Sequence, residues 1–188
     1  MISKSELMTH PHTFRERRYA MKKHSATRLH YDLRLELNGF LLSWAIPKGP
    51  DRNPRHEREA IEMEDHRSKY LFFEGVHRTG PIMLWDFGTW EPHPDSEDVE
   101  SGLTQGVLRF ILRAQKLEGG WTLARTAKHE HGRPIWILRK DDDPFAIHSV
   151  DDLLEQCPNS IKGGRTMEDI VSDWNGRKRD SHQQILFS

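Results

Sequence analysis

Residues 24–46 read HSATRLHYDLRLELNGFLLSWAI. Within them His30, Asp32, Arg34 and Glu36 occupy every second position. Leu29, Tyr31, Leu33, Leu35 and Leu37 fill the places between. Successive side chains on a β-strand point to opposite faces. The alternation therefore predicts a strand with one apolar face and one face carrying imidazole, carboxylate, guanidinium and carboxylate in a row. Upstream the chain already reads as extended, so the run is expected to extend from Tyr19 to Leu37. Asn38-Gly39 comes next; both residues tolerate positive φ, and the pair predicts a tight hairpin turn. FLLSWAI, residues 40–46, is the expected return strand.

The polar face of this strand invites two readings. His30 and Asp32 are metal-type donors side by side, His24 can supply a third, and Arg34 is a cation suited to a phosphate or carboxylate oxyanion. Two His and one Asp can hold a divalent ion and leave positions open for substrate and water. The same spacing fits a solvated polar row equally well. Glu36 reads as a salt-bridge or barrel-rim residue. Downstream, Lys48 and Arg58 are candidates for a phosphate clamp, and His66 and Tyr70, four apart, for acid, base or phosphate-binding groups. A solvated loop position is the plainer reading for Lys48, Arg58 and Tyr70. Of the twelve histidines, His56, His77, His93, His129, His131 and His148 read as ordinary surface residues.

The rest of the chain is a series of short strand candidates separated by turn signals. They are a short strand or helix in REAIEMED (58–65), then YLFFEG (70–75), IMLWDFGTW (82–90), 106–112, 121–125 and 134–140. The loop PKGPDRNP (47–54) is rich in Pro and Gly, and an acidic loop is expected over 91–102. This pattern predicts a mainly β domain, an antiparallel barrel or sandwich. A helix is expected from Ser149, as N-cap, to Gln156, and another around Thr166–Trp174. The expected division is a flexible N-terminal arm over 1–18, a β domain over 19–146, and a C-terminal helix with a polar tail over 147–188.

Charge and composition narrow the function. Lys and Arg number 28 against 29 Asp and Glu, a net charge of -1. Overall charge therefore does not point to nucleic acid, but its distribution is uneven. Arg15, Arg17, Arg18, Lys22, Lys23, Arg28 and Arg34 face only Glu16 and Asp32 over residues 15–34, and such a local basic face can bind a polyanion. No apolar run approaches the roughly 20 residues of a membrane span. The single cysteine, Cys157, excludes an internal disulfide. A cytoplasmic protein is expected, nucleoid-associated when acting on DNA.

The segment HSATRLHYDLRLELNGFLLSWAIPKGP, followed by EDH, FEG and WDFGTW, resembles the 3′-phosphoesterase domain of bacterial DNA ligase D. GGWTLAR and WILRKDDDPFA resemble the closing strands of that domain. The likeness runs from about Tyr19 to Ala146, and GRTMEDI (164–170) resembles the segment that follows it. The resemblance implies a small antiparallel β-barrel with a polar active-site cavity. It implies Mn²⁺ as cofactor, with His24, His30 and Asp32 as metal ligands. Arg34, Lys48, Arg58, His66 and Tyr70 match phosphate-site and catalytic positions, and Glu64 a supporting acidic position beside a histidine. The implied activity removes a terminal ribonucleoside from a primer 3′ end, then the 3′-phosphate, leaving a 3′-hydroxyl for repair by end joining. Implied partners are DNA or RNA–DNA primer-template 3′ ends, with separate ligase, polymerase or end-binding repair proteins, and the protein is expected to be a monomer without membrane contact. The span VHRTGPIML between FEG and WD is shorter than the family's usual turn.

Two other classes compete with this one. His-x-Asp with a distant His is also the ligand pattern of iron oxygenases. Alternatively, the fold can serve as a catalytically inactive module that binds 3′ ends.

Overall fold

A computed structural model describes residues 16–96 and 98–175. Its strands are β1 (Arg17–Ser25), β2 (Leu29–Leu37), β3 (Phe40–Ile46), β4 (Arg58–Glu62), β5 (His66–Arg67), β6 (Gly75–His77), β7 (Gly80–Pro92), β8 (Val107–Ala114), β9 (Glu118–Glu130) and β10 (Arg133–Lys140). The sheet runs β1-β2-β3-β4-β10-β9-β8-β7, and β7 pairs again with β1. Eight antiparallel strands thus close into a barrel, so the expected mainly β fold is a barrel and not a sandwich. Closure leaves these strands without a free edge. Two short helices, α1 (Val99–Gln105) and α2 (Leu153–Gln156), lie outside it. Residues 167–175 are helical as well, where the helix around Thr166–Trp174 was expected. Among the described residues no helix is long and apolar enough to cross a membrane.

The alternation in β2 sorts the protein into two sides. Tyr31, Leu33 and Leu35 join Tyr19, Met21, Trp44, Ile46, Trp85, Trp121 and Trp136 in one buried cluster that fills the barrel. Trp44 and Trp136 meet edge to face at 5.8 Å, as do Tyr31 and Trp85 at 5.4 Å. Each large apolar side chain buried here contributes about 1.5–3 kcal/mol. The other side of β1 and β2 is the outer wall. There Ala20, Leu41, Leu71 and Leu84 form a second, smaller cluster with Phe87 and Ile161. It lies beneath the segment 66–77, which crosses the wall as a strap. Leu153 and Ile170 are buried against the main core, so residues after the barrel pack back onto it.

Several local expectations change. The extended run Tyr19–Leu37 is broken at 26–28 and folds into the antiparallel pair β1–β2. YLFFEG is not a strand: a 3₁₀ turn (Ser68–Tyr70) and two further turn bonds, Leu71 N to the Ser68 carbonyl and Phe73 N to the Tyr70 carbonyl, curl it. Leu71 plugs the outer cluster, and the half-exposed Phe72 lies against Phe87 at 4.8 Å between ring centres. The acidic loop ends early, because Asp98 caps α1 by accepting from Ser101 N at 2.9 Å, and Gly106 closes the helix at φ 83. The helix expected from Ser149 is a single turn, Leu153–Gln156. Ser149 does not cap it; its carbonyl accepts from Asn53 instead. The Asn38-Gly39 turn is present, at φ 50 and 86. The arm expected over 1–18 lies outside the described residues up to residue 15, and Arg17 already opens β1. The part of the expected polar tail from residue 176 to 188 also lies outside them.

β7 carries a bulge: Met21 pairs with Asp86 and Lys22 with Leu84, leaving Trp85 without a partner. Asp86 then accepts from Lys116 N at 2.9 Å, Leu117 N at 3.0 Å and the Tyr19 hydroxyl at 3.3 Å. Burial pushes its carboxyl up to about 6. A few residues on, β7 passes very close to β8. A Cβ built on Gly88 would stand 2.1 Å from the Arg113 carbonyl oxygen and 2.6 Å from Ala114 Cα. Gly88→Ala is expected to destabilise the fold by about 1–3 kcal/mol through overpacking. A lowered urea midpoint at constant m-value would show it; an unchanged midpoint would refute this crossing.

Candidate metal and phosphate site

The outer faces of β1 and β2 meet across the hairpin. Their register sets His24 opposite His30 and Lys22 opposite Asp32. His24 Nδ1 lies 3.6 Å from Asp32 Oδ2, and His30 Nε2 lies 3.6 Å from Asp32 Oδ1. One donor atom from each residue falls within 4.8 Å of the others. Two imidazole nitrogens and a carboxylate oxygen grouped in this way can hold a divalent ion.

The opposite ring nitrogens are engaged. His30 Nδ1 is 3.0 Å from the Arg28 carbonyl, which only accepts. Nδ1 therefore bears the proton, and Nε2 turns its lone pair toward Asp32. His24 Nε2 is 3.1 Å from Thr79 Oγ1, itself 3.1 Å from His77 Nδ1. Gly80 allows this approach: at φ +134, a Cβ there would stand 2.1 Å from the Ser25 carbonyl oxygen.

Positive charge gathers beside the donors. Arg34 Nη2 is 3.4 Å from Asp32 Oδ2, and its Nη1 is 3.2 Å from His66 Nδ1. Burial raises the pKa of Asp32, but hydrogen bonding to His24 and the charges of Arg34, His30 and His24 outweigh it, and the net shift is downward. Guanidinium only donates, so His66 Nδ1 accepts and Nε2 carries the proton of the neutral ring. Partial burial and Arg34 lower the pKa of His66, opposed by the Glu64 backbone carbonyl. Lys22 is buried, and its Nζ donates to the Tyr70 carbonyl at 2.5 Å. Burial and the Arg34 charge lower its pKa to about 8, against the pull of Asp32. Tyr70 itself is half exposed, with Lys69 Nζ 5.0 Å from its ring centre.

Arg58 and the Glu64 carboxylate are taken up by other partners. Lys48 is exposed just beyond β3. Arg58 is held by Asp51, which also takes His56 Nδ1 at 2.9 Å. The Glu64 carboxylate is exposed and 3.9 Å from Arg133; only its backbone faces His66. Glu36 forms the expected salt bridge, with Arg18 Nε at 2.6 Å and Nη2 at 2.7 Å. Sequence reasoning missed Lys22, Thr79 and His77 as neighbours of the site. Lys22 was within reach, because it shares a strand face with His24 two residues away. Nothing local marks Thr79; it arrives through the β6–β7 hairpin.

Residues 22–125 match the family model for the DNA Ligase D 3'-phosphoesterase domain. The chain belongs to this family. It is similar to the multifunctional non-homologous end joining protein LigD of Pseudomonas aeruginosa, 42% identical over 158 residues, which is 80% of this chain and 18% of that protein. The LigD protein of Mycolicibacterium smegmatis is 33% identical over 125 residues, 62% of this chain and 16% of that one. The LigD protein of Mycobacterium tuberculosis is 34% identical over 113 residues, 57% and 14% of the two chains. This chain thus spans less than a fifth of the length of these relatives. The residues matched to the phosphoesterase family contain His24, His30, Asp32, Arg34, Lys48, Arg58, Glu64, His66 and Tyr70.

The lysine offers a direct check on this geometry. A lysine whose pKa falls from 10.5 to about 8 on folding adds most stability when neutral. That contribution is full above pH 10.5 and is lost as pH drops through about 8. NMR titration of the metal-free protein should find one lysine with a midpoint near 8 that Lys22→Met removes. Arg34→Met should move that midpoint upward. A Lys22 that titrates with the surface lysines would contradict its placement.

Proposed function

We propose that this chain is a Mn²⁺-dependent 3′-phosphoesterase that trims nucleic-acid 3′ ends for DNA repair by non-homologous end joining. The observation that carries the reading is the grouping of His24, His30 and Asp32 donors within 4.8 Å, beside Arg34, Lys22 and His66. Family membership favours phosphoryl chemistry over the oxygenase reading of the same donors.

In this reading His24 and His30, each oriented through its other ring nitrogen, and the ionised Asp32 hold the ion. A bound Mn²⁺ would polarise a non-bridging phosphoryl oxygen. Arg34 and Lys22 offset the charge that builds on the phosphoryl oxygens, since preorganised cations at a partly buried site act more strongly than in water. The neutral His66 donates an Nε2–H hydrogen bond to the leaving ribose oxygen and offsets the charge that builds there, and the Tyr70 hydroxyl orients the phosphate. Water attacks phosphorus and the P–O3′ bond breaks; one proton of that water passes to the departing oxygen, giving a 3′-hydroxyl, and the other stays on the released inorganic phosphate. Removal of a terminal ribonucleoside precedes this step and leaves the 3′-phosphate it acts on. Lys48, exposed beyond β3, would add positive charge toward the bound strand, whereas Arg58 is already paired with Asp51. The reading takes DNA or RNA–DNA primer-template 3′ ends as substrate, with ligase and polymerase activities as the consumers of the product.

A primer-template ending in a 3′-phosphate, and another ending in ribonucleotides, should be processed with Mn²⁺ and left intact without it. Finding neither phosphate release nor shortening would defeat the proposal. His30→Ala should abolish both reactions with the fold retained by circular dichroism, whereas His93→Ala should leave them near wild type. Thr79→Val removes the hydrogen bond behind His24 and should weaken Mn²⁺ binding by about tenfold or more. Calorimetry reads that loss, and Thr79→Ser should restore affinity.

A further inference from the structure

We propose that Arg165, acting through Glu74, is a positioning residue for the strap that carries His66 and Tyr70, an inference that rests on the roles given to those two side chains above. The strap is tied at its start, where Phe40 pairs with Arg67 and Leu41 with His66, and Ser68 N donates to the Gly39 carbonyl at 3.1 Å. Beyond Ser68 its backbone–backbone bonds up to Phe73 are local turns, and the one described tie of this stretch's backbone to the wall is the Tyr70 carbonyl, which accepts from Lys22 Nζ. Its far end is fastened by the pairing of β6 with β7 and, just before it, by the Glu74 side chain.

The Glu74 side chain is fully buried. Its Oε2 accepts from Leu84 N at 2.8 Å and from the Ser160 hydroxyl, and its Oε1 pairs with Arg165 Nη2. Arg165 is itself held by Asp173, Nη1 to Oδ2 at 2.8 Å. Ser160 N donates to the Arg165 carbonyl at 2.9 Å, and Ile161 N to the Leu84 carbonyl at 3.1 Å. Ile161 also packs on the cluster that holds Leu71 of the strap. One carboxylate therefore joins the strap, β7 and the segment after the barrel. A buried carboxylate deprived of its cation is strongly disfavoured in place. Loss of Arg165 should release Glu74 and slacken the strap from that end.

Two features give this tie a distinct signature. Ser160, Arg165 and Asp173 lie beyond the residues 22–125 matched to the family. The metal donors sit on β1 and β2, and the hydrogen bonds of the tie, Glu74 with Leu84, Ser160 and Arg165, include no residue of either strand. Arg165 should therefore govern the placement of His66 and Tyr70 without governing metal affinity.

The test compares wild type, Arg165→Met, Arg165→Lys and Ser160→Ala. In Arg165→Met, amide hydrogen exchange over residues 66–74 should quicken by about tenfold or more while β1 and β2 keep their protection. Mn²⁺ affinity should stay within about twofold, and kcat for 3′-phosphate release should drop by about tenfold or more. Arg165→Lys should recover part of both effects, and Ser160→Ala should show both in milder form. If Arg165→Met does not fold, the last two variants decide the matter by the same measurements. Unchanged strap exchange would overturn the proposal, as would metal affinity and β1–β2 protection falling together with the strap. A wild-type protein that releases no phosphate defeats the functional reading alone, because the exchange result still judges the tie.

Discussion

Across the β1–β2 hairpin, His24 stands opposite His30 and Lys22 opposite Asp32. Antiparallel pairing brings facing side chains to about 4.5–5.5 Å at Cβ. Two imidazoles, a carboxylate and an ammonium are thereby crowded onto one patch of wall by backbone hydrogen bonds alone. Neighbouring elements then build on this patch. Arg34, one step further along β2, neutralises Asp32 and reaches the strap at His66. The strap answers through the Tyr70 carbonyl, which receives Lys22. The β6–β7 hairpin closes the opposite side through Thr79.

The barrel behind the patch is filled and the patch lies outside it. Tyr31, Leu33 and Leu35 pack among five buried tryptophans, while the residues between them hold the site. The division keeps charge out of the core, where desolvating it would be costly. It also places the polar cluster on a stiff foundation, since interiors packed to crystal-like density resist deformation. The loop elements that complete the site are fastened separately: the strap by β5 and Glu74, the β6–β7 tip by its close approach to Ser25.

Much of this was legible in the sequence, and the misreadings have identifiable physical causes. Strict alternation marked β2, and Asn38-Gly39 marked its hairpin with β3, because both signals are local. The turn at 26–28 contains no Gly, Pro or Asn, so the run from Tyr19 to Leu37 looked continuous. Yet that turn is what brings His24 beside His30. YLFFEG misled because a short apolar run has no periodicity to separate a strand from a plug. The helix α1 was readable from Asp98 and Gly106, which bracket it as caps. Arg58 and Glu64 share the right sequence neighbourhood, but Asp51 holds one and the other's carboxylate faces Arg133. Those partners are set by loop paths that no local pattern encodes. The contact of His66 with Arg34 and the burial of Lys22 beneath the Tyr70 carbonyl emerge only once the strap is in place.

The two-sidedness of β2 also constrains how this chain can change over evolutionary time. Inserting or deleting one residue between Leu29 and Leu37 would turn every side chain beyond that point to the opposite face. Leucines would move to the wall, and Asp32, Arg34 and Glu36 would be driven toward the tryptophans. Core and site would fail together, although neither had suffered a substitution. Length variation in this hairpin is therefore confined to its ends, at 26–28 and at 38–39. Of the two, the first is the more sensitive, because it sets which residue of β1 meets His30.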